Sequence, residues 1–276
     1  MKIKALKPFH EMASTGTLFS SPSISQIYYI CDTTSIMTFK GFLFVLFLAP
    51  ILVGCPKDPP EDSILVFTKT EGYVHESIPA GISALEYLGD RNNFNVISTN
   101  NAADFTSENL KKYEVVVFLN TTGDVLNASQ QQAFEEFIKA GGGFVGIHAA
   151  SDTEYDWPWY GRLVGAYFES HPDQQNAIIR IKETNHLATK QLPVTWNHFD
   201  EWYNFKLISP SIIVLAGLDE NSYKGGTNGD YHPISWYQEF DGGKMFYTGL
   251  GHTKKAYSNE LFLAHILGGI EYVLNR

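Results

Sequence analysis

Four short apolar runs, each followed by a different kind of segment, constrain this chain most. Ser63–Thr68, Phe94–Ser98, Tyr113–Leu119 and Phe144–His148 are rich in Val, Ile and Phe and too short for helices. Between them lie segments with helical spacing. Ile78 to Leu88 is one, and Thr106-Ser107-Glu108 opens a short one ending at Leu110. Ser129 to Lys139 puts Phe134, Phe137 and Ile138 on one stripe and stops at Gly141-Gly142-Gly143. Strands alternating with helices imply right-handed crossovers and a parallel sheet. YEVVVFL, with no polar alternation, reads as a strand buried on both faces. In such sheets ligands sit beyond the carboxyl ends of the strands, which places His75, Asn120-Thr121-Thr122 and His148 through Thr153 around one crevice.

The later part is less regular. Gln175–Ile181 and Ile212–Gly217 read as strands. Ile234–Phe240 and Lys244–Thr248 read as a hairpin turned by Asp241-Gly242-Gly243, and an amphipathic helix spans Asn259–Leu274. No linker or internal repeat interrupts residues 63–276, so they read as one domain.

The first 54 residues read as an address. Lys40 precedes an apolar run from Phe42 to Val53, shorter than the about 20 residues of a membrane span and sized like a signal-peptide core. It ends in Leu52-Val53-Gly54-Cys55, which resembles a bacterial lipoprotein box with Cys55 as the lipidated residue. An uncleaved anchor or buried helix is the alternative. Met37 stands just before this signal, so residues 1–36 read as an upstream extension and Cys55 as the mature amino terminus. Residues 55–62 follow as a polar, proline-rich tether. The expected location is that of a secreted lipoprotein on the periplasmic or outer surface.

The whole chain carries 20 Lys+Arg against 30 Asp+Glu. Taking away the four lysines and two acids of residues 1–54 leaves 16 against 28, a charge of −12. That balance argues against a nucleic-acid partner, which needs clustered basic residues. Cys55 is the only cysteine after residue 54, so the domain holds no thiol nucleophile.

Three segments carry the candidate chemistry. In Gly141–Pro172, His148 ends a strand where the chain turns, and backbone N–H groups at such a turn can hold an oxyanion. Asp152, Glu154, Tyr155, Trp157, Trp159 and His171 follow. Aromatics beside carboxylates suit a carbohydrate, since ring faces cover sugar C–H surfaces and carboxylates take hydroxyl hydrogen bonds. The aromatics could equally pack a helix start. In Asn197–Tyr203, the acids Asp200 and Glu201 adjoin His198, Trp202 and Tyr203; a solvated loop with local caps is the alternative. The third segment holds His232, Trp236 and His252, the histidines lying at strand ends. His186 and His265 read as surface and helix residues.

The runs GGGFVGIHAASDTEYDWPWYGRLVGAYFESHP, FDEWYNF and HPISWYQEFDGGKMFYTGLGH resemble the ThuA-like (trehalose utilisation) family from Ile64 to Val273. The resemblance implies a class I glutamine amidotransferase-like fold: a flavodoxin-like three-layer α/β/α sandwich with a mostly parallel central sheet. In true amidotransferases the strand-to-helix elbow carries a catalytic cysteine. Here Gly146-Ile147 is followed by His148, so amidotransferase activity is not expected.

The resemblance also implies a role in sugar metabolism, including disaccharides and their 3-keto derivatives. A 3-keto-sugar has acidic protons beside its carbonyl, and removing one needs a base near neutrality and an electrophile. His148 or His252 could serve as base, giving isomerase or lyase chemistry; Asp152 and Glu201 could act as a hydrolytic acid/base pair. His148, Asp152, Glu201 and His252 are thus the catalytic candidates. His75, Tyr155, Trp157, His171, Asp200, Tyr203, His232 and Trp236 are the substrate-binding candidates. A divalent metal on His and carboxylate ligands is left open, since no HxxxH or HExxH spacing exists. Two non-enzymatic readings also stand: a sugar-binding lipoprotein serving partner enzymes or transporters, and a cell-surface scaffold.

Overall fold

A computed structural model describes residues 62–276. The lipidation site at Cys55, the signal segment and the start of the tether lie outside the described residues.

The first half follows the apolar runs. Strand β1 (Asp62–Phe67) leads into helix α1 (Ile78–Asn92) and β2 (Phe94–Thr99). The short α2 (Ser107–Leu110) precedes β3 (Val115–Leu119), and α3 (Ala128–Lys139) precedes β4 (Gly143–Ile147). Local sequence sets these boundaries. Pro79 lies in the first turn of α1, and Asn93 ends it in the left-handed conformation. Asn127 caps α3 through a capping box with Gln130. Val115 to Leu119 are all wholly buried, as a strand covered on both faces requires. Phe67, Phe105, Phe118, Phe134 and Phe144 form a contiguous aromatic core, with Phe67–Phe105 centroids 4.6 Å apart.

The remaining elements are α4 (Pro158–Val164), β5 (Tyr167–Ser170), β6 (Gln175–Ile181), β7 (Thr195–Asp200), β8 (Asn204–Lys206), β9 (Ile213–Asp219), β10 (Pro233–Phe240), β11 (Gly243–Thr248) and α5 (Glu260–Val273). Nine strands form one sheet in the order β2-β1-β3-β4-β11-β10-β9-β6-β7; β5 and β8 pair separately. The sheet is mixed. The pairings β1–β2, β1–β3, β3–β4 and β4–β11 are parallel, as expected from the crossovers. The pairings β11–β10, β10–β9, β9–β6 and β6–β7 are antiparallel. The expectation of a mostly parallel sheet therefore holds for only half of the pairings. Beyond β4 the sheet grows without strand–helix–strand crossovers, until β11 closes it beside β4.

The predicted β10–β11 hairpin is present, and Asp241 and Gly242 adopt positive φ in its turn. Helix α5 carries two consecutive glycines, Gly268 and Gly269, which are unfavourable in a helix. A Cβ at Gly268 would lie 2.2 Å from the Leu187 carbonyl oxygen, and one at Gly269 2.2 Å from the Phe246 ring. The helix lies too close to its neighbours there for any side chain. Among the described residues no helix is long and apolar enough to cross a membrane.

His265 of α5 is wholly buried. Its Nδ1–H donates to the Ala188 carbonyl at 2.8 Å, and its ring edge meets Phe246. Burial pushes its pKa down to about 4, against a smaller opposing effect of the Ala188 bond. A depressed folded pKa means that the unfolded chain takes up the proton first. This contribution to stability is therefore complete above about pH 6.5 and lost as pH falls toward 4. The wild type should lose its stability advantage over His265→Gln across that window, by roughly 3 kcal/mol at most. Urea unfolding at stepped pH measures it; a constant difference would show that His265 does not titrate in this way.

Candidate functional site

Strands β1, β4 and β11 run in one direction. Counting the antiparallel pairings outward from β11 shows that edge strand β7 runs the same way. His75 follows β1, His148 follows β4, Glu201 follows β7 and His252 follows β11. All four thus leave the same edge of the sheet, where their donor atoms converge within 4.8 Å of one another. The expected crevice at the carboxyl ends is where the titratable residues meet.

His148 occupies the elbow. It is wholly buried and held at φ +49°, a conformation that costs a non-glycine residue energy and is commonest at functional positions. Its Nδ1 lies 2.8 Å from the Gly249 carbonyl, which can only accept, so Nδ1 carries the proton. In the neutral ring Nε2 is then a bare lone pair. It faces His252 Nδ1 at 3.2 Å and Glu201 Oε2 at 3.5 Å. His252 Nδ1 is 3.0 Å from the same carboxylate oxygen, and the other oxygen lies 3.2 Å from His171 Nδ1.

Burial alone would raise the Glu201 carboxyl. In their protonated forms His148 and His252 donate to it and place positive charge beside it, which outweighs burial and holds the group below the ordinary carboxylate range. His75 is 3% exposed and packs edge-on against both rings, at 5.0 and 5.1 Å between centroids. Burial first, and the two neighbouring imidazoles second, push its pKa far down, so His75 is neutral. Its Nδ1 is buried without a partner.

Asp200 builds the loop under His252. It is wholly buried, and its carboxylate accepts from the N–H groups of Gly251 (2.8 Å), Thr253 (3.2 Å) and Glu201 (3.1 Å). Gly251 sits at φ +113°, where a Cβ would meet the Tyr257 hydroxyl at 2.7 Å. Its carbonyl accepts from Ser77 at 3.1 Å, and Asn120 donates to Ser77 at 3.0 Å. Asp200 is thus a positioning residue rather than a substrate ligand. Ser77 and the Gly249 carbonyl leave no mark in the sequence: Ser77 looks like an ordinary residue before a helix, and no side-chain pattern reveals a carbonyl.

Tyr203 is buried and lies against His148, with ring centroids 4.1 Å apart, so it backs the cluster. His171 is exposed and stands at the rim beside Glu201. Tyr155 is partly exposed, its hydroxyl 2.6 Å from Asp152 Oδ1 and 3.0 Å from the Phe168 carbonyl. Burial raises the Asp152 carboxyl, with the Tyr155 hydrogen bond opposing.

Three candidates are placed elsewhere. Trp157 is buried and stacks on Trp159 and Tyr160, its indole N–H donating to Glu135; it packs the start of α4. Trp236 is wholly buried, stacked on Tyr247 at 4.2 Å and bonded to the Val164 carbonyl. His232 lies at the same edge of the sheet, but its ring is bonded to Glu220 and to the Tyr203 carbonyl. The solvated-loop alternative for Asn197–Tyr203 does not hold, since Thr195–Asp200 is strand β7 and Trp202 is wholly buried. Glu154 is structural, because its buried carboxylate accepts from the N–H groups of Val125 and Leu126 and from Gln131.

The fold is shared with two solved structures described as ThuA-like proteins. One, from Bacteroides uniformis ATCC 8492, superposes with a TM-score of 0.67 at 22% identity, covering 80% of this chain and 94% of its own. The other, from Parabacteroides merdae ATCC 43184, gives 0.65 at 20% identity, covering 78% and 90%. No curated relative matches. The family described as ThuA, trehalose utilisation, matches residues 63–273. With the match running through every strand that supplies the cluster, the chain belongs to the ThuA family.

Proposed function

We propose that this protein is an enzyme of sugar metabolism that acts on a disaccharide or 3-keto-sugar by proton transfer, on a class I glutamine amidotransferase-like three-layer sandwich that has lost the amidotransferase nucleophile. The observation that carries the proposal is the convergence of His75, His148, Glu201 and His252 at the carboxyl edge of the sheet. A module that only binds sugar has no need of three histidines packed on one buried carboxylate. The family description supports the substrate class.

The geometry divides the roles. His148 is wholly enclosed and both ring nitrogens are engaged, so it positions its neighbours. His252, with its side chain 13% exposed, and rim residue His171 are the imidazoles that can reach a substrate oxygen. They would polarise the sugar carbonyl. Asp152, its carboxyl raised by burial, would take the proton beside that carbonyl, and Tyr155 would orient it. Tyr73, exposed and edge-on to His75, would supply an aromatic surface for the sugar. Export and attachment through a lipid at Cys55 complete the proposal.

Incubation with trehalose and with 3-keto-glucosides, followed by NMR, tests it. Turnover should fall about 10²- to 10³-fold in Asp152→Asn. Binding without turnover in the wild type would replace the enzyme by a sugar-binding lipoprotein, and indifference to every sugar would leave a scaffold.

A further inference from the structure

We propose that His75, His148, Glu201 and His252 form a binding site for one divalent first-row transition-metal ion, of which Zn²⁺ is the probe. The proposal deepens the functional one, because the ion would be the electrophile at the same site.

Three edges of the cluster fit an ion. His148 Nε2, His252 Nδ1 and Glu201 Oε2 are 3.2, 3.0 and 3.5 Å apart. Ligands bound tetrahedrally at the usual Zn–N and Zn–O lengths stand roughly 3.2–3.6 Å from one another. The triangle therefore has nearly the spacing that one shared ion imposes. His75, within 4.8 Å of the others, supplies a fourth corner after a small inward shift.

The proton count points the same way. The Gly249 carbonyl fixes one proton of His148 on Nδ1, so in the neutral ring Nε2 is an acceptor facing inward. The two carboxylate oxygens are acceptors as well. One proton on His252 Nδ1 can bridge only part of this, and the buried Nδ1 of His75 has no partner at all. Buried lone pairs aimed at one another without a cation are unfavourable. Among the described residues every ion-pair partner of Glu201 is a histidine, so no Lys or Arg supplies the missing charge.

The supporting contacts are those of a metal site. The Gly249 carbonyl orients His148, and His171 holds the second oxygen of Glu201. Imidazole with one carboxylate suits zinc and its first-row neighbours better than calcium or magnesium.

The full chain, as purified, should contain close to one equivalent of a first-row ion by elemental mass spectrometry. After chelation it should bind ZnCl2 with one site by calorimetry, and Co²⁺ should give visible bands of a low-coordinate site. His75→Gln and Glu201→Gln should each weaken Zn²⁺ binding at least 100-fold. Among the described residues the His75 side chain makes no hydrogen bond, so His75→Gln should stay folded by circular dichroism; His186→Ala serves as an unaffected control. A single Zn²⁺ site lost only in the first two variants supports the proposal. No Zn²⁺ or Co²⁺ binding by the folded chain, or binding unchanged in His75→Gln and Glu201→Gln, overturns it and leaves a cluster held by a shared proton. None of these readouts involves sugar, so turnover without metal overturns only this proposal, and metal binding without turnover overturns only the enzymatic one.

Discussion

Replacing Glu201 by glutamine should remove about 10³-fold of turnover on a keto-sugar while leaving the fold intact. Glutamine preserves the shape but deletes the one negative charge that His148, His171 and His252 share. Its amide also turns two N–H donors toward a site already supplied with imidazole protons. Loss of preorganised charge at a reacting centre generally lowers kcat by about 10²–10³ per group, and Glu201 touches three partners. Stability should fall as well. The surrounding histidines favour the ionised carboxylate in the folded chain, and removing one partner of a buried pair is destabilising. The pair of measurements is kcat and thermal unfolding. Turnover within tenfold of the wild type would remove Glu201 from the chemistry.

Asp200→Ala should act on stability first and on activity second. Three backbone N–H groups, of Glu201, Gly251 and Thr253, lose their acceptor together. An unsatisfied buried donor costs about 1–3 kcal/mol, and relaxation of the loop toward water would recover part of the sum. A net destabilisation of about 3–5 kcal/mol is expected, a fall of about 10 °C or more in Tm for a chain of this size. Because His252 lies between two of those N–H groups, the cluster should also lose its geometry, and activity should fall even where the variant is folded. A Tm within 2–3 °C of the wild type, corresponding to about 1 kcal/mol, would show that water replaces the carboxylate.

The strands of the first half were legible because their burial is symmetrical. VVVFL and GFVGI are apolar throughout, and nothing but a doubly covered strand produces that pattern at that length. Strand β7 was hidden for a definite reason. Its inward positions are Trp196, His198 and Asp200, and its outward ones include the exposed Phe199. Two of three inward residues are polar, so the alternation that signals a half-buried strand is cancelled by the residues the site needs. Strands β5 and β8 are four and three residues long, too short to impose a period.

His75, His148 and His252 could each be named from chemical type and strand-end position, and Glu201 from its chemical type alone. Their meeting could not be deduced, since it depends on β11 lying beside β4 and on β7 ending at the same edge. The aromatics misled for a related reason. Trp157 and Trp236 have the composition of a sugar platform, but composition does not say which side of a helix or sheet a ring takes. Helix α4 turns Trp157, with Trp159 and Tyr160, onto Phe134 and Phe118.

Edge strand β7 has a consequence of its own. The three histidines stand behind β1, β4 and β11, each flanked by hydrogen-bonded strands on both sides, while Glu201 stands behind a strand whose single neighbour among the described residues is β6. The cluster therefore joins three imidazoles carried inside the sheet to a carboxylate carried on its margin. Fraying of that margin would withdraw the carboxylate and leave the three rings in place. The site is in this sense tied to the margin of the sheet, and losing it does not require dismantling the core.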